Sequence, residues 1–244
     1  VIAVLLLYGR FVLRPADYFV GDLVSFYQPM RHHTAQCLGA GELPLWTPAI
    51  FAGTPLIADA QLGLFYPPTL VHLAAGFPDA ELLGFLAHLA LAGLGLLWLV
   101  RRLGGGWAPA LMAALGFALS GFFVVHLMHP NFVYSAAWLP WLLGALHGLV
   151  HRFTARDAAL AALFVGLGIL AGGLQLVYYG YGCALLLAST WALTAPKLDH
   201  RGRLLRLAAL GGVFALGAAL TAVQLLPTAE FAAQLDAFVA LNGP

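Results

Sequence analysis

Residues 158–196 contain no Asp, Glu, Lys or Arg. One straight helix over that stretch would be about 58 Å long, roughly twice the hydrocarbon thickness of a bilayer. The stretch therefore predicts two membrane-crossing helices back to back. The break falls at Gly172-Gly173-Leu174-Gln175, where paired glycines and an amide interrupt the apolar pattern. Composition agrees: of 244 residues 62% are hydrophobic and 9% charged, with a mean hydropathy of +0.90. So few charges cannot clothe a water-soluble globule of this size. The chain reads as an all-α, polytopic transmembrane bundle, and its net charge of +1 points to no nucleic-acid partner. Cys37 and Cys183 form neither a disulfide framework nor a metal-site spacing.

The other spans follow from the same pattern. Leu82–Val100 ends at Arg101-Arg102 and the breaker Gly104-Gly105-Gly106, and Trp107–Leu127 comes next. Phe132–Val150 contains Pro140, which membrane helices tolerate when neighbours satisfy the freed carbonyl. A last span, Leu204–Leu226, is expected to stop at Pro227. Six spans are thus expected over residues 81–227. The apolar block at residues 1–13 is too short to cross and reads as the outer part of a truncated first helix, giving about seven spans in one transmembrane domain and a probable fragment of a longer protein. A cleaved signal peptide is the competing reading, but no basic n-region or small-residue cleavage site accompanies the block.

Basic residues set the orientation, because cytoplasmic loops retain Lys and Arg. Arg101 and Arg102, then Arg152 and Arg156, then Lys197, Arg201, Arg203 and Arg206 occupy alternate loops, and the turns at His129-Pro130 and Gly172-Gly173 have none. This places residues 14–80, the 128–131 and 172–175 turns and the tail after Pro227 outside the cell membrane. Residues 14–80 form a long first extracytoplasmic loop rich in aromatics and proline, and long loops within compact proteins usually carry function. Short interfacial helices are expected in it: one capped by Asp22, running from Leu23 towards Cys37 with a kink at Pro29, and one over Thr69–Ala75.

Polar side chains near hydrocarbon are costly and by default line a cavity or a substrate path. Here Asp17, Asp22, Arg31, His32, His33, Asp59, Gln61, His126, His129, Asn131, Gln175, Glu230 and Gln234 all fall on the outer side. Asp22 has two readings, a general base whose pKa burial raises and a plain helix N-cap. Asp59 is either a carboxylate for a divalent ion or substrate, or a solvated loop acid. His126 and His129 share a helix face with Asn131 nearby; two His without a third ligand are weak grounds for a metal, and interfacial hydrogen bonding competes. Gln175, spaced on one face with Tyr178, Tyr179 and Gly182, either binds a sugar or phosphate or ties helices together. His88 and His147 read as packing or interhelical hydrogen bonders. No phosphate-cradling loop, Gly-x-Ser-x-Gly nucleophile or His-Glu-x-x-His helix occurs, which argues against soluble nucleotide chemistry.

Several ordered motifs carry a resemblance. Gly21-Asp22 with Phe26-Tyr27-Gln28-Pro29, Gly41-Glu42-Leu43-Pro44-Leu45-Trp46-Thr47-Pro48, Phe51-Ala52-Gly53-Thr54-Pro55, Phe65-Tyr66-Pro67-Pro68, His129-Pro130-Asn131-Phe132, Ala171-Gly172-Gly173-Leu174-Gln175 and Leu225-Leu226-Pro227-Thr228-Ala229-Glu230 together resemble the bacterial membrane protein YfhO family. That family is similar to GT-C glycosyltransferases, which take a sugar from a polyprenyl-phosphate donor at the outer face of the membrane. The resemblance implies a GT-C-like bundle transferring the sugar to an envelope glycan or lipid acceptor. Asp22 matches the catalytic Asp of the first external loop. Arg31, or a divalent metal ion near Asp59, would stabilise the leaving phosphate, and Asp59, Gln61, His129, Gln175, Tyr178 and Glu230 are candidate substrate contacts. A transporter or flippase of lipid-linked precursors, or a noncatalytic assembly protein, are the alternatives. Charged residues inside several spans would favour transport, and one-sided polarity favours an enzyme.

Overall fold

The computed structural model describes Tyr8, Gly9, Phe11, Leu13, Arg14 and residues 21–48, 50, 52–70 and 79–242. Most of the first-span expectation, and the part of the second loop helix after Leu70, lie outside these residues. The described chain is helical, without a strand; its nearest approach to one is an isolated antiparallel bridge, Thr47 to Thr54. A π-helical turn, Leu23–Tyr27, leads into α1 (Gln28–Gly39). Three 3-10 turns follow, Leu56–Ala58, Ala60–Leu62 and Pro67–Leu70. The bundle comprises α2 (Asp79–Arg102), α3 (Trp107–Ala118), α4 (Gly121–Val125), α5 (Pro130–His151), α6 (Ala155–Leu170), α7 (Leu174–Thr194), α8 (His200–Leu220) and α9 (Ala222–Asn242).

Five segments are long and apolar enough to cross a membrane: Asp79–Arg102, Trp107–Val125, Pro130–His151, Leu174–Thr194 and His200–Leu220. The chain is therefore a multi-pass, all-α membrane bundle. The sixth expected span is α6, whose 16 residues reach about 24 Å and which lies packed against α5 and α8. Pro227 does not end the last span, contrary to expectation. The break comes at Thr221, whose hydroxyl donates back to Ala218 O at 2.9 Å, and α9 starts at the next residue and runs through Pro227. Pro227 sits in the second turn of α9, where one missing N–H is tolerated.

The centre of the bundle is α5. Its small residues let α2 approach: Trp98 packs over Gly144, and Trp141 packs over Gly95, where an added Cβ would meet the rings at 2.0 and 2.5 Å. The two indoles stack at 5.4 Å, so each helix offers a glycine to the other's tryptophan. Outward-facing Leu94, Met112, Leu186 and Leu220 are exposed, as lipid-facing positions should be.

The two ends of the bundle differ in charge. At one end Asp157 is buried and takes Arg102 at 2.5 Å, Arg152 at 2.7 Å and the Thr154 hydroxyl at 2.7 Å. Thr154 caps α6 in return by accepting from Asp157 N. Arg206 reaches across from α8 to Val150 O at 3.4 Å. The three arginine-bearing loops thus converge. Removing the carboxylate strands two guanidinium groups, and Asp157→Ala should cost about 3 kcal/mol, read as a fall in thermal midpoint in detergent.

Candidate functional site

The opposite end is built from the first loop, the 126–131 turn, the 171–175 turn and the start of α9. Gly172 makes the contact between loop and bundle. It adopts φ +91, and a Cβ there would lie 2.2 Å from Ala60 O. Gly173 donates its N–H to Ser135 Oγ, which in turn donates to Gly168 O, so the turn is pinned to α5 and α6. From α9, Thr228 Oγ1 donates to Ala58 O at 2.8 Å and Gln224 Nε2 to Ile57 O at 3.1 Å. Gly172→Ala combines a left-handed backbone with a collision. It should cost about 2 kcal/mol, and limited proteolysis should then cleave the freed 53–62 loop faster.

Between these parts lies a cavity of about 640 Å³ lined by Gly53, Thr54, Pro55, Ala58, Asp59, Ala60, Gln61, Leu174, Thr228, Phe231 and Leu235. Asp59 and Gln61 supply its acidic and amide polarity, and Phe231 and Leu235 supply an apolar wall. The Asp59 carboxylate accepts from Gln61 N at 3.0 Å. Burial pushes its pKa up from the ordinary carboxylate value, opposed by that hydrogen bond. Gln61 and Leu174 also line a smaller pocket with Asn131, Phe132 and Gln175, and Phe132 and Gln175 line a third with His126 and Tyr179. Shared lining residues chain the three pockets in a series, here called the groove, from α9, past Asp59 and Gln61, to His126.

Beyond His126 stands His129, ring centroids 5.6 Å apart, and His129 Nε2 lies 3.3 Å from Asp22 Oδ2. Asp22 does not cap the following helix: its side chain makes no cap hydrogen bond, and it remains about half exposed. Pro29 falls in the first turn of α1, where a proline breaks no helix bond. It lacks an N–H, and the chain accommodates it with the π turn, in which Gln28 N bonds Leu23 O. This turn directs Tyr27 inward, where its hydroxyl donates to Asn131 Oδ1 at 2.8 Å. Burial raises the Tyr27 phenol pKa; Arg31 opposes this, while Asp59 and Asp22 reinforce it.

The groove gathers Asp59, Gln61 and Gln175, and the Asp22–His129 pair stands at its end. Arg31 lies elsewhere: it is buried against Glu81 at the start of α2, beneath the Tyr27 ring. Tyr178 and Glu230 are exposed and outside the lining, with Tyr178 packed edge-on against Tyr179. His88 packs as expected, its ring stacked on Tyr134 of α5 at 3.8 Å, while its hydrogen bonds run to Tyr66 Oη of the first loop at 2.7 Å and to Gly84 O of its own helix at 2.6 Å; Trp138 donates to the same tyrosine oxygen. Sequence reasoning missed the Thr228, Phe231 and Leu235 wall. Its available signal was Gln224 and Thr228, two polar residues four apart on an otherwise apolar helix face.

Among the described residues no group of three or more His, Cys, Asp or Glu side chains is placed to hold a metal ion. Asp59 alone fits a divalent cation only in company with a ligand's own oxygens, as magnesium commonly binds beside substrate phosphates. Comparison with known protein families, with characterised proteins and with solved structures finds no match to this chain.

Proposed function

We propose that this chain is the membrane part of a GT-C-like glycosyltransferase of YfhO type, acting at the extracytoplasmic face on a polyprenyl-phosphate-linked sugar. The observation that carries the reading is the mixed groove. A carboxylate and amides on one side suit sugar hydroxyls, and Phe231, Leu235 and Leu174 on the other suit a prenyl chain. Acidic residues within the described spans are few. Among the described residues Glu81 and Asp157 lie near helix ends and are paired with arginines, an arrangement that suits anchoring of the helices.

In this reading Asp22 accepts the proton of the acceptor hydroxyl as its oxygen attacks the anomeric carbon. The bond to the lipid phosphate breaks in the same step, and a single displacement inverts the anomeric centre. His129 positions the Asp22 carboxylate from 3.3 Å. The exposure of Asp22 leaves room for a bulky acceptor. Arg31 has no part in leaving-group stabilisation, because Glu81 neutralises it. A divalent ion arriving with the phosphate would supply that charge, with Asp59 as its protein ligand. Gln61 and Gln175 donate to sugar hydroxyls.

The test is mass spectrometry of envelope polymers from cells with and without the gene. The expected result is a sugar decoration that disappears with the gene. Identical glycans in both would overturn the enzyme reading.

A further inference from the structure

At the basic end of the bundle, α5 finishes in an unusual way. Arg152 N and Phe153 N both bond Gly148 O, at 2.8 and 3.3 Å, closing the helix with Phe153 in the left-handed region at φ +52. Helices that end this way normally place glycine there, because a bulky side chain is strained in that conformation. Phenylalanine also stays 41% exposed, so core packing does not account for it.

Its surroundings suggest what the ring does. The Arg206 guanidinium lies 4.2 Å over the ring, and among the described residues it makes two long bonds of 3.4 Å, to Val150 O and Gly202 O. Arg203 stands one turn earlier on the same face of α8, and its Nε is buried without a hydrogen-bond partner among the described residues. Of the acids at this end, Asp157 is held by Arg102 and Arg152, and Asp199 caps α8 by accepting from Gly202 N, keeping its charge. An exposed aromatic under the Arg206 guanidinium, with Arg203 three positions earlier on the same helix, at the end of membrane helices, matches an anionic headgroup at the bilayer interface.

We propose that Arg203, Arg206 and Phe153 form a seat for the phosphate headgroup of an anionic phospholipid. The two guanidinium groups donate to the phosphate oxygens, and the Phe153 ring occupies the interfacial layer beside the glycerol backbone. This site is at the end of the bundle opposite the groove and does not depend on the glycosyltransferase reading.

Native mass spectrometry of the protein extracted from nanodiscs tests it. Retained phosphatidylglycerol should exceed retained phosphatidylcholine. R203Q and R206Q should each weaken phosphatidylglycerol retention by about five-fold. Phe153→Gly separates this role from a structural one, because glycine suits the backbone. Its thermal midpoint in phosphatidylcholine should be no lower than that of the parent, while phosphatidylglycerol retention falls. Equal retention of the two lipids, or parental phosphatidylglycerol retention in R203Q, R206Q or Phe153→Gly, would overturn the proposal. Stabilisation by inorganic phosphate equal to that by phosphatidylglycerol would overturn the lipid assignment.

Discussion

Asp22→Asn should lower sugar transfer by about 10²–10⁴-fold, because the amide keeps the size of the carboxylate but cannot take the acceptor's proton. The side chain is about half exposed and makes no capping bond, so the substitution should leave the thermal midpoint unchanged. Transfer from a radiolabelled polyprenyl-phosphate sugar in vesicles reads the first effect and thermal unfolding the second. Loss of both together would mean that Asp22 holds the loop and carries no chemistry. His129→Ala should give a smaller loss with the same unchanged stability, since it positions the base without touching the reacting atoms.

Asp59→Asn is expected to make the protein more stable and less active. Burial raises the pKa of Asp59 in the folded state above its unfolded value. The folded chain then binds more protons in the intervening pH window, so this group's contribution to stability is lost as pH rises through it. At neutral pH the charge is a burden that the amide removes, and the thermal midpoint should rise. Donor binding needs the ionised form, so activity in the parent should fall as pH drops through a midpoint above the ordinary carboxylate value. The Asn variant should have a raised KM, by about 10-fold or more, and lack that pH dependence. A destabilised Asn variant, or one with unchanged KM, would show that Asp59 is a structural acid.

The parts legible in the sequence are those governed by local chemistry. The break at Gly172-Gly173, the stop at Gly104-Gly105-Gly106 and the gathering of arginines at one end all follow from hydropathy and charge along the chain. The groove's polar residues were also visible, because Asp59, Gln61 and Gln175 are costly beside hydrocarbon wherever they sit. What escaped depends on distant partners. Arg31 reads as a free cation until Glu81, fifty positions later, is found against it. Asp22 reads equally as a general base or a helix cap, and the structure shows no cap bond and His129 at 3.3 Å from its carboxylate. Pro227 reads as a stop because its ring breaks soluble helices, but the chain places the break at Thr221, and the segment carrying Pro227 continues as a helix that buttresses the loop. Tyr178 fell on the expected helical face with Gln175, yet it stays exposed outside the lining and packs on Tyr179, which does line the groove.

Sidedness is the premise beneath these roles, and cysteine labelling in intact cells tests it most directly. In a background with Cys37 and Cys183 replaced by Ser, Gln61→Cys places a thiol at the groove and Lys197→Cys places one at the arginine-rich end. A membrane-impermeant maleimide added outside should label the first and reach the second only after the cells are permeabilised. Labelling of Lys197→Cys in intact cells, with Gln61→Cys protected until lysis, would turn the groove to the cytosol and contradict the account.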